Sequence, residues 1–484
     1  MQEKSIPKNV IYNMLKMVSS VFFPLVTLPY INRVLMPENV GIVNFGTSFV
    51  AYFSLIATLG VSTYAIRECS RVRENQEEVS ALASQIFSIN VLTTVLAYVL
   101  LFLSLFFFAS LKQYTAVILI QCATILFTTL GTDWINSAFE DFKYIAIRTV
   151  VVQMAALVAI FVFVKAPADY LIFAAILMIS SSGANVMNIF YRKRFCAIRF
   201  TWKTNWRKHL PSIFLLFSML VSQTIFSNSG ITALGLYRSN TEVGWYSVAY
   251  KIFITLNMLI ASILWVVLPR LSFFYANQQY SDFNRTLTKI FGYLVSLGFP
   301  LIISVGVMAE DVVLVLAGED YLPCVTILRF LMIASFFSLI GGGFLGNLIM
   351  LPTRNEKFQF LACFLAAIAN VFVNIFFVKE CGMNASLVAA IVAEVLIFLV
   401  LLPCVEKKIN LRNCFKLALF PFAGSILVGV VLLFIQVLTD SLICRILISI
   451  GSAIPIYCLF LWAVRYEIFM DSLLWLSKKV KVLK

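Results

Sequence analysis

Long apolar runs separated by short polar connections recur along almost the whole chain. A helix needs about 20 such residues to cross the hydrocarbon of a bilayer. On that measure the pattern predicts spans over residues 10–31, 40–66, 84–109, 114–136, 145–164, 170–191, 211–237, 243–268, 287–308, 325–351, 358–378, 383–402, 415–437 and 442–464. The expected fold class is therefore an all-α polytopic membrane protein with about fourteen transmembrane helices, because in lipid every backbone polar group must be paired within its own helix. The polar connections leave no room for a soluble domain.

The stretch from Pro24 to Arg73 is the most informative. It reads as two apolar helices joined by a short turn. Pro24 and Pro29 lie inside the first and bend it, since each removes a backbone hydrogen bond. Arg33 closes that helix shortly before Pro37, and Gly41, Gly46 and Gly60 on the second would permit close helix packing. Arg67, Arg71 and Arg73 end it. A bent helix with a cation at its tip and a glycine-bearing partner suits a cavity wall better than a plain anchor.

Composition agrees: 61% of residues are hydrophobic and 12% charged, where soluble domains carry about 25% charged residues. The net charge of +14 need not mean nucleic acid, because loops rich in Lys and Arg mark the cytoplasmic side. With the N-terminus inside, most of the 37 basic residues fall on inner segments. The outer side keeps Arg33, Lys112, Lys165, Arg238, Lys379 and Arg445, and both termini are expected in the cytoplasm. The N-terminus does not read as a cleaved signal. The ten cysteines are scattered, without a CxxC pair, and read as reduced core residues. The single histidine, His209, reads as a solvated loop residue.

The chain also looks duplicated. PENVGIVNFGTSF after the first span parallels NTEVGWYSVAYKIF after the seventh, so that Gly41 aligns with Gly244 and Arg33 falls near Arg238. Two six-helix lobes in parallel repeat would result. The expected organisation is a first lobe over residues 1–191, a basic cytoplasmic linker over 192–209, a second lobe over 210–404, and two added helices with a tail over 405–484.

Charges inside spans are few and costly, at least about 2.5–3.5 kcal/mol each at mid-bilayer. Lys16, Lys251, Arg329 and Glu394 are the candidates, with Asp133 and Arg148 nearer the inner surface. Lys16 and Arg329 could equally snorkel to an interface, whereas Lys251 and Glu394 sit deep enough to call for a cavity or a partner. Asn370 and Asn374 share a helix face at i, i+4; interhelical hydrogen bonding is the plainer reading of both, and of Asn185 and Asn188. Asp133, Glu140, Lys143 and Arg148 suggest a charge network closing the cytoplasmic end of the first half. Neither a phosphate-binding loop nor a metal-ligand cluster nor a nucleophile–base set is visible.

Several segments resemble one family. LPYINRVLMPENVG with YFSLIATLGVSTYAIRE, then TDWINSAFEDFKYIAIR, FVKAPADYLIF, EVGWYSVAYKI, VVLPRLS, ILRFLMIASFF and LGNLIMLPTRNEKF are similar to bacterial polysaccharide-biosynthesis membrane proteins. These are the repeat-unit, O-antigen-type flippases of the multidrug/oligosaccharidyl-lipid/polysaccharide exporter superfamily. The resemblance implies two lobes around a cationic cavity open alternately to either side of the bacterial cytoplasmic membrane. It implies a cargo of oligosaccharide on undecaprenyl pyrophosphate, with membrane lipid and glycan polymerase or assembly proteins as partners. By motif match Arg33 and Lys251 would line the cavity, with Arg329 and Lys16 as further cations. No cofactor is implied beyond sodium or protons as coupling ion. A related lipid II flippase family holds sodium on helices 7, 11 and 12, which would place such a site at Asn370, Asn374 and Glu394. The chain departs from the family in helix 7, where FSNSGITALG has Asn228, Ser229 and Gly230 in place of an acidic–basic pair.

Two other classes compete. A multidrug or small-cation exporter of the same superfamily would want carboxylates in its cavity, whereas Lys and Arg suit a pyrophosphate. A membrane glycosyltransferase or polymerase would want a sizeable outer domain, and the outer loops here are short.

Overall fold

The computed structural model describes residues 6–473, and these are all-α, with no strand among them. In chain order the helices are α1 (Ile6–Thr58), α2 (Val61–Arg71), α3 (Gln76–Phe107), α4 (Thr115–Gly131), α5 (Trp134–Ala138), α6 (Phe142–Phe163), α7 (Tyr170–Tyr191), α8 (Trp206–Tyr237), α9 (Asn240–Ala276), α10 (Tyr280–Val307), α11 (Ala309–Leu316), α12 (Val325–Ser338), α13 (Glu356–Cys381), α14 (Met383–Leu401), α15 (Leu411–Leu438) and α16 (Leu442–Ala463). A π-helical stretch, Leu339–Met350, continues α12.

Sterics break α1 at Met36, which has φ 63° and ψ 164°. The following Pro37 lacks an N–H and excludes the helical conformation from the residue before it. Residues 6–35 and 37–58 are thus two helices. The second ends at Leu59 (φ 43°) and Gly60 (φ 72°), earlier than the expected 40–66. Gly60 supplies a turn in which a positive φ carries no steric penalty, not a helix-packing surface. The expected span 114–136 is likewise cut at Thr132 (φ 46°), leaving α5 as a separate short helix.

Twelve helices among the described residues are long and apolar enough to cross a membrane. The fourteen expected from sequence divide Phe22–Arg71 in two and add residues 211–237, which are not among the twelve. Large apolar side chains such as Phe106 and Val437 stand more than 80% exposed on these helices, as lipid-facing positions do.

The chain forms two compact units. One runs to Ser247 and includes Leu316–Asp320 and Val371–Ser386. The other comprises Val248–Val315, Tyr321–Asn370 and the chain from Leu387. The division falls inside α9, beyond the basic stretch 192–209 that precedes α8.

In the first unit α2, α5 and the starts of α3 and α8 share an apolar core that includes Val61, Tyr64, Val79, Ile86, Trp134 and Ile213. Arg67, Arg71, Arg73 and the 192–205 connection surround it; we call this the basic end. His209 belongs here and corrects the sequence reading. It is 1% exposed, with Nδ1 2.7 Å from the Tyr64 hydroxyl and Nε2 3.0 Å from Gln85 Oε1. Both polar ring atoms are paired, which makes its burial affordable.

In the second unit α10 packs along α15, and α15 against α16. An apolar cavity of about 600 Å³ lies among these helices, lined by Leu297, Leu301, Met308, Leu432, Ile454 and Leu461.

Candidate functional site

The candidate residues fall into two groups in the first unit and one in the second, with Asn374 standing apart in the first.

At the end of the first unit opposite the basic one, Arg33 is exposed. Pro29 and Pro37 bracket it. Its Nη1 donates to the Pro29 carbonyl oxygen at 2.8 Å, and its stem lies 3.4 Å from where a Cβ on Gly318 would stand. The adjacent Asn32 is buried and donates to the Leu316 carbonyl at 3.1 Å, while its Oδ1 has no hydrogen-bond partner. The helix tip is therefore anchored through Asn32, and the Arg33 guanidinium is presented at the surface.

The turn after Pro37 meets the start of α9 closely. Asn44 donates to Ser247 Oγ at 2.7 Å, the Tyr114 hydroxyl lies 2.5 Å from Asn240 Oδ1, and the Tyr114 ring stacks on Phe45 with centroids 3.8 Å apart. Arg238 is tied to Glu242 at 2.8 Å. In α8, Asn228 accepts from Ser48 through its carbonyl at 3.1 Å and turns its amide onto Thr224 at 2.9 Å.

Near the basic end, Asp133 pairs with Arg148. Arg148 is 3% exposed and lies over the Tyr144 ring. Glu140 pairs instead with Arg73 at 2.7 Å, on the surface. Lys143 is exposed and makes no ion pair within 4.0 Å among the described residues. Around the pair, Asn136 donates to Asn188 at 2.6 Å, Asn188 donates to the Gly131 carbonyl at 2.7 Å, and Arg192 donates to the Leu130 carbonyl at 2.7 Å. The last two bonds satisfy carbonyls left open where α4 stops at Thr132. The pairing of Arg73 with Glu140 and of Arg192 with the end of α4 escaped the sequence reading, because nothing local to either arginine signals a partner more than sixty positions away.

In the second unit, Lys251 lies on α9, half-buried, with no ion pair among the described residues. Arg329 on α12 is exposed, as are Phe330 and Ile333 of the same helix. Glu394 on α14 is 5% exposed, and its carboxylate accepts from the Ser338 side chain. Ser338 is the last residue before the π-helical stretch, whose Gly341 packs on the Phe398 backbone with a would-be Cβ 3.0 Å away. Asn370 is buried on α13. Asn374, in the first unit, accepts from Ser386 Oγ at 2.7 Å. The Lys16 side chain lies outside the described residues.

Residues 6–274 match the family described as polysaccharide biosynthesis protein. A protein named as an O-antigen transporter in Escherichia coli (strain K12) is 22% identical over 369 residues, 75% of this chain and 87% of that one. Another of the same name in Shigella dysenteriae is 23% identical over 408 residues, 82% of this chain and 100% of that one. Among solved structures, the lipid II flippase MurJ in an inward closed conformation has a TM-score of 0.72 at 17% identity, covering 93% of this chain and 97% of its own. An inward-facing multidrug resistance MATE family transporter of the MOP superfamily has a TM-score of 0.58 at 14% identity, covering 85% and 98%. At these identities the likeness to solved structures is one of fold.

Proposed function

Since the chain belongs to the polysaccharide biosynthesis protein family, we propose that it is a flippase for undecaprenyl-pyrophosphate-linked oligosaccharide repeat units, working by alternating access in a bacterial cytoplasmic membrane. It is a transporter and not an enzyme, in keeping with the names of its curated relatives and the fold of its structural ones. The basic end faces the cytoplasm in this reading, which the Lys and Arg distribution supports. The surface polysaccharide is of the O-antigen, capsule or exopolysaccharide kind, and polymerase or assembly proteins receive the product.

The observation that carries this reading is Lys251. A half-buried ammonium within a membrane span and without an ion pair is stable only where water or an anion reaches it. A diphosphate crossing the membrane needs fixed cations, because an uncompensated charge in hydrocarbon costs many kcal/mol. Too many would trap it. Lys251 and the exposed Arg33 supply charge without excess, with Arg329 and Lys16 as auxiliaries. The apolar cavity among α10, α15 and α16 offers a surface of the kind along which a polyprenyl chain would lie. Sodium or protons drive the cycle through Glu394, with Asn370 and Asn374.

Replacement of the gene by a Lys251→Ala allele tests the reading. Surface glycan should be lost while the protein accumulates at the wild-type level, and Lys251→Arg should restore part of it. Normal glycan from the alanine allele would exclude Lys251 from the cargo path.

A further inference from the structure

The connection between α7 and α8 is bound along the side of α3 in a regular way. The backbone N–H groups of Ala197, Arg199 and Thr201 donate to the hydroxyls of Ser80, Ser84 and Ser88 at 3.1, 3.1 and 2.8 Å. Four helical residues advance about 6 Å, and two extended residues about 6.6 Å. A serine at every fourth helix position therefore meets every second N–H of an extended strap. The strap is held by its backbone, and its side chains remain available. Cys196 and Ile198 turn toward the apolar core of the basic end.

What the strap presents outward is cationic and aromatic. Arg199, Phe200, Trp202, Lys203 and the following Arg207 are exposed. Trp202 is 77% exposed and meets Phe200 edge-on at 5.0 Å. Residues 192–209 contain no carboxylate. Glu77 and Glu78 lie in the first turn of α3, about 16 Å along that helix from Ser88.

The register also fixes depth. Thr201 is bonded to Ser88, and α3 becomes predominantly apolar from Val91 onward. Trp202 thus stands beside the last polar turn of α3, where water gives way to hydrocarbon. Tryptophan is enriched at that level because one part of its ring is apolar and the other wet.

We propose that the outer face of this strap is a binding surface for anionic phospholipid headgroups. Phe200 and Trp202 sit at the headgroup–acyl boundary, and Arg199, Lys203 and Arg207 contact the lipid phosphates. The serine ladder holds the strap in place beforehand, so little ordering is lost on binding. The surface is separate from the cargo residues, and it stands whatever glycan the protein moves.

The test uses the purified full chain in detergent micelles doped with phosphatidylglycerol or phosphatidylcholine, read by thermal unfolding and by lipid retained in native mass spectrometry. Phosphatidylglycerol should raise the melting temperature of the wild type above its value in phosphatidylcholine, and high salt should remove the increment. The triple variant Arg199→Gln/Lys203→Gln/Arg207→Gln should melt like the wild type in phosphatidylcholine but lose the increment. Its affinity for the anionic lipid should fall roughly a hundredfold, at about fivefold per basic residue. Trp202→Ala should weaken retention of both lipids. If the triple variant does not accumulate, Arg199→Gln alone should lower phosphatidylglycerol retention about fivefold. An increment of wild-type size in the charge variants would overturn the proposal. So would an equal increment from inorganic pyrophosphate, which would make the surface a soluble-anion site.

Discussion

Gly41 and Gly244 each abut the backbone of the other's helix start. A Cβ on Gly41 would stand 1.9 Å from the Asn240 carbonyl oxygen, and a Cβ on Gly244 would stand 2.0 Å from the Pro37 carbonyl oxygen. The contact is reciprocal under the alignment of PENVG with NTEVG, and the Asn44–Ser247 hydrogen bond joins two residues that are equivalent under it. This symmetry supports a duplicated origin for the two helix pairs. Because the obstructing atoms are backbone, no side chain can swing aside. Gly41→Ala and Gly244→Ala should each cost about 1–3 kcal/mol and abolish surface glycan. Gly451→Ala should be neutral, since nothing lies within 4 Å of its Cβ direction. Thermal unfolding of the three purified variants decides it; equal melting temperatures would mean the helices are further apart than described.

The two ion pairs near the basic end should behave unequally. Arg148 is buried, and removing its partner leaves a buried cation, a loss of about 3–5 kcal/mol. Glu140 and Arg73 are each about 40% exposed as side chains, and such pairs contribute about 0–1 kcal/mol. Asp133→Ala should therefore sharply lower the amount of folded protein in the membrane, whereas Glu140→Gln should not. Immunoblots and detergent melting curves of the two variants give the comparison; similar losses would contradict the burial of Arg148.

Much of this was legible from residue order, for identifiable reasons. Hydropathy reports the surface that touches lipid, so the spans were visible. Pro37 announced the break in α1, because proline constrains both itself and the residue before it. The break at Thr132 was not visible, since its positive φ belongs to a residue that usually avoids it. The burial of His209 depends on Tyr64 and Gln85, both distant in sequence, and a lone histidine in a basic stretch carries no trace of them. The serines at 80, 84 and 88 were a readable periodic signal, yet helix serines have many uses, and their partner strap showed only in three dimensions. Among the candidate site residues, depth marked Lys251 and Glu394, but no spacing in the chain foretold that Glu394 would face Ser338.

Arg33 separates charge from geometry. Its guanidinium is at the surface and its stem rests near Gly318, so Arg33→Ala should change stability by no more than about 0.5 kcal/mol. If the residue contacts the cargo diphosphate, the same variant should lose surface glycan. Arg33→Lys keeps the charge but not the planar fork. Partial export by the lysine variant would indicate that charge suffices, and loss equal to alanine would indicate bidentate contact. Wild-type export by Arg33→Ala would place Arg33 outside the cargo path.

We propose Glu394 as the residue that links an ion to movement. Its carboxylate is nearly inaccessible, and its one identified hydrogen-bond donor is Ser338. An ionised carboxylate held by a single hydroxyl in apolar surroundings is poorly compensated, so a proton or a cation arriving there would change the local free energy substantially. The change would be felt at once by the backbone beyond Ser338. That backbone is π-helical from Leu339 to Met350 and opens on three consecutive glycines, Gly341 to Gly343. π-Helical turns are rare and are found frequently at functional sites. Binding at Glu394 would then act directly on the conformation of this segment. Glu394→Gln preserves shape and one hydrogen-bonding oxygen while removing the titratable charge, so the protein should fold and insert normally. Its flipping rate in proteoliposomes should no longer respond to an imposed proton or sodium gradient, whichever drives the wild type. Ser338→Ala should shift the gradient response without removing it. Gradient dependence in Glu394→Gln equal to that of the wild type would leave Glu394 a structural partner of Ser338 and place coupling elsewhere.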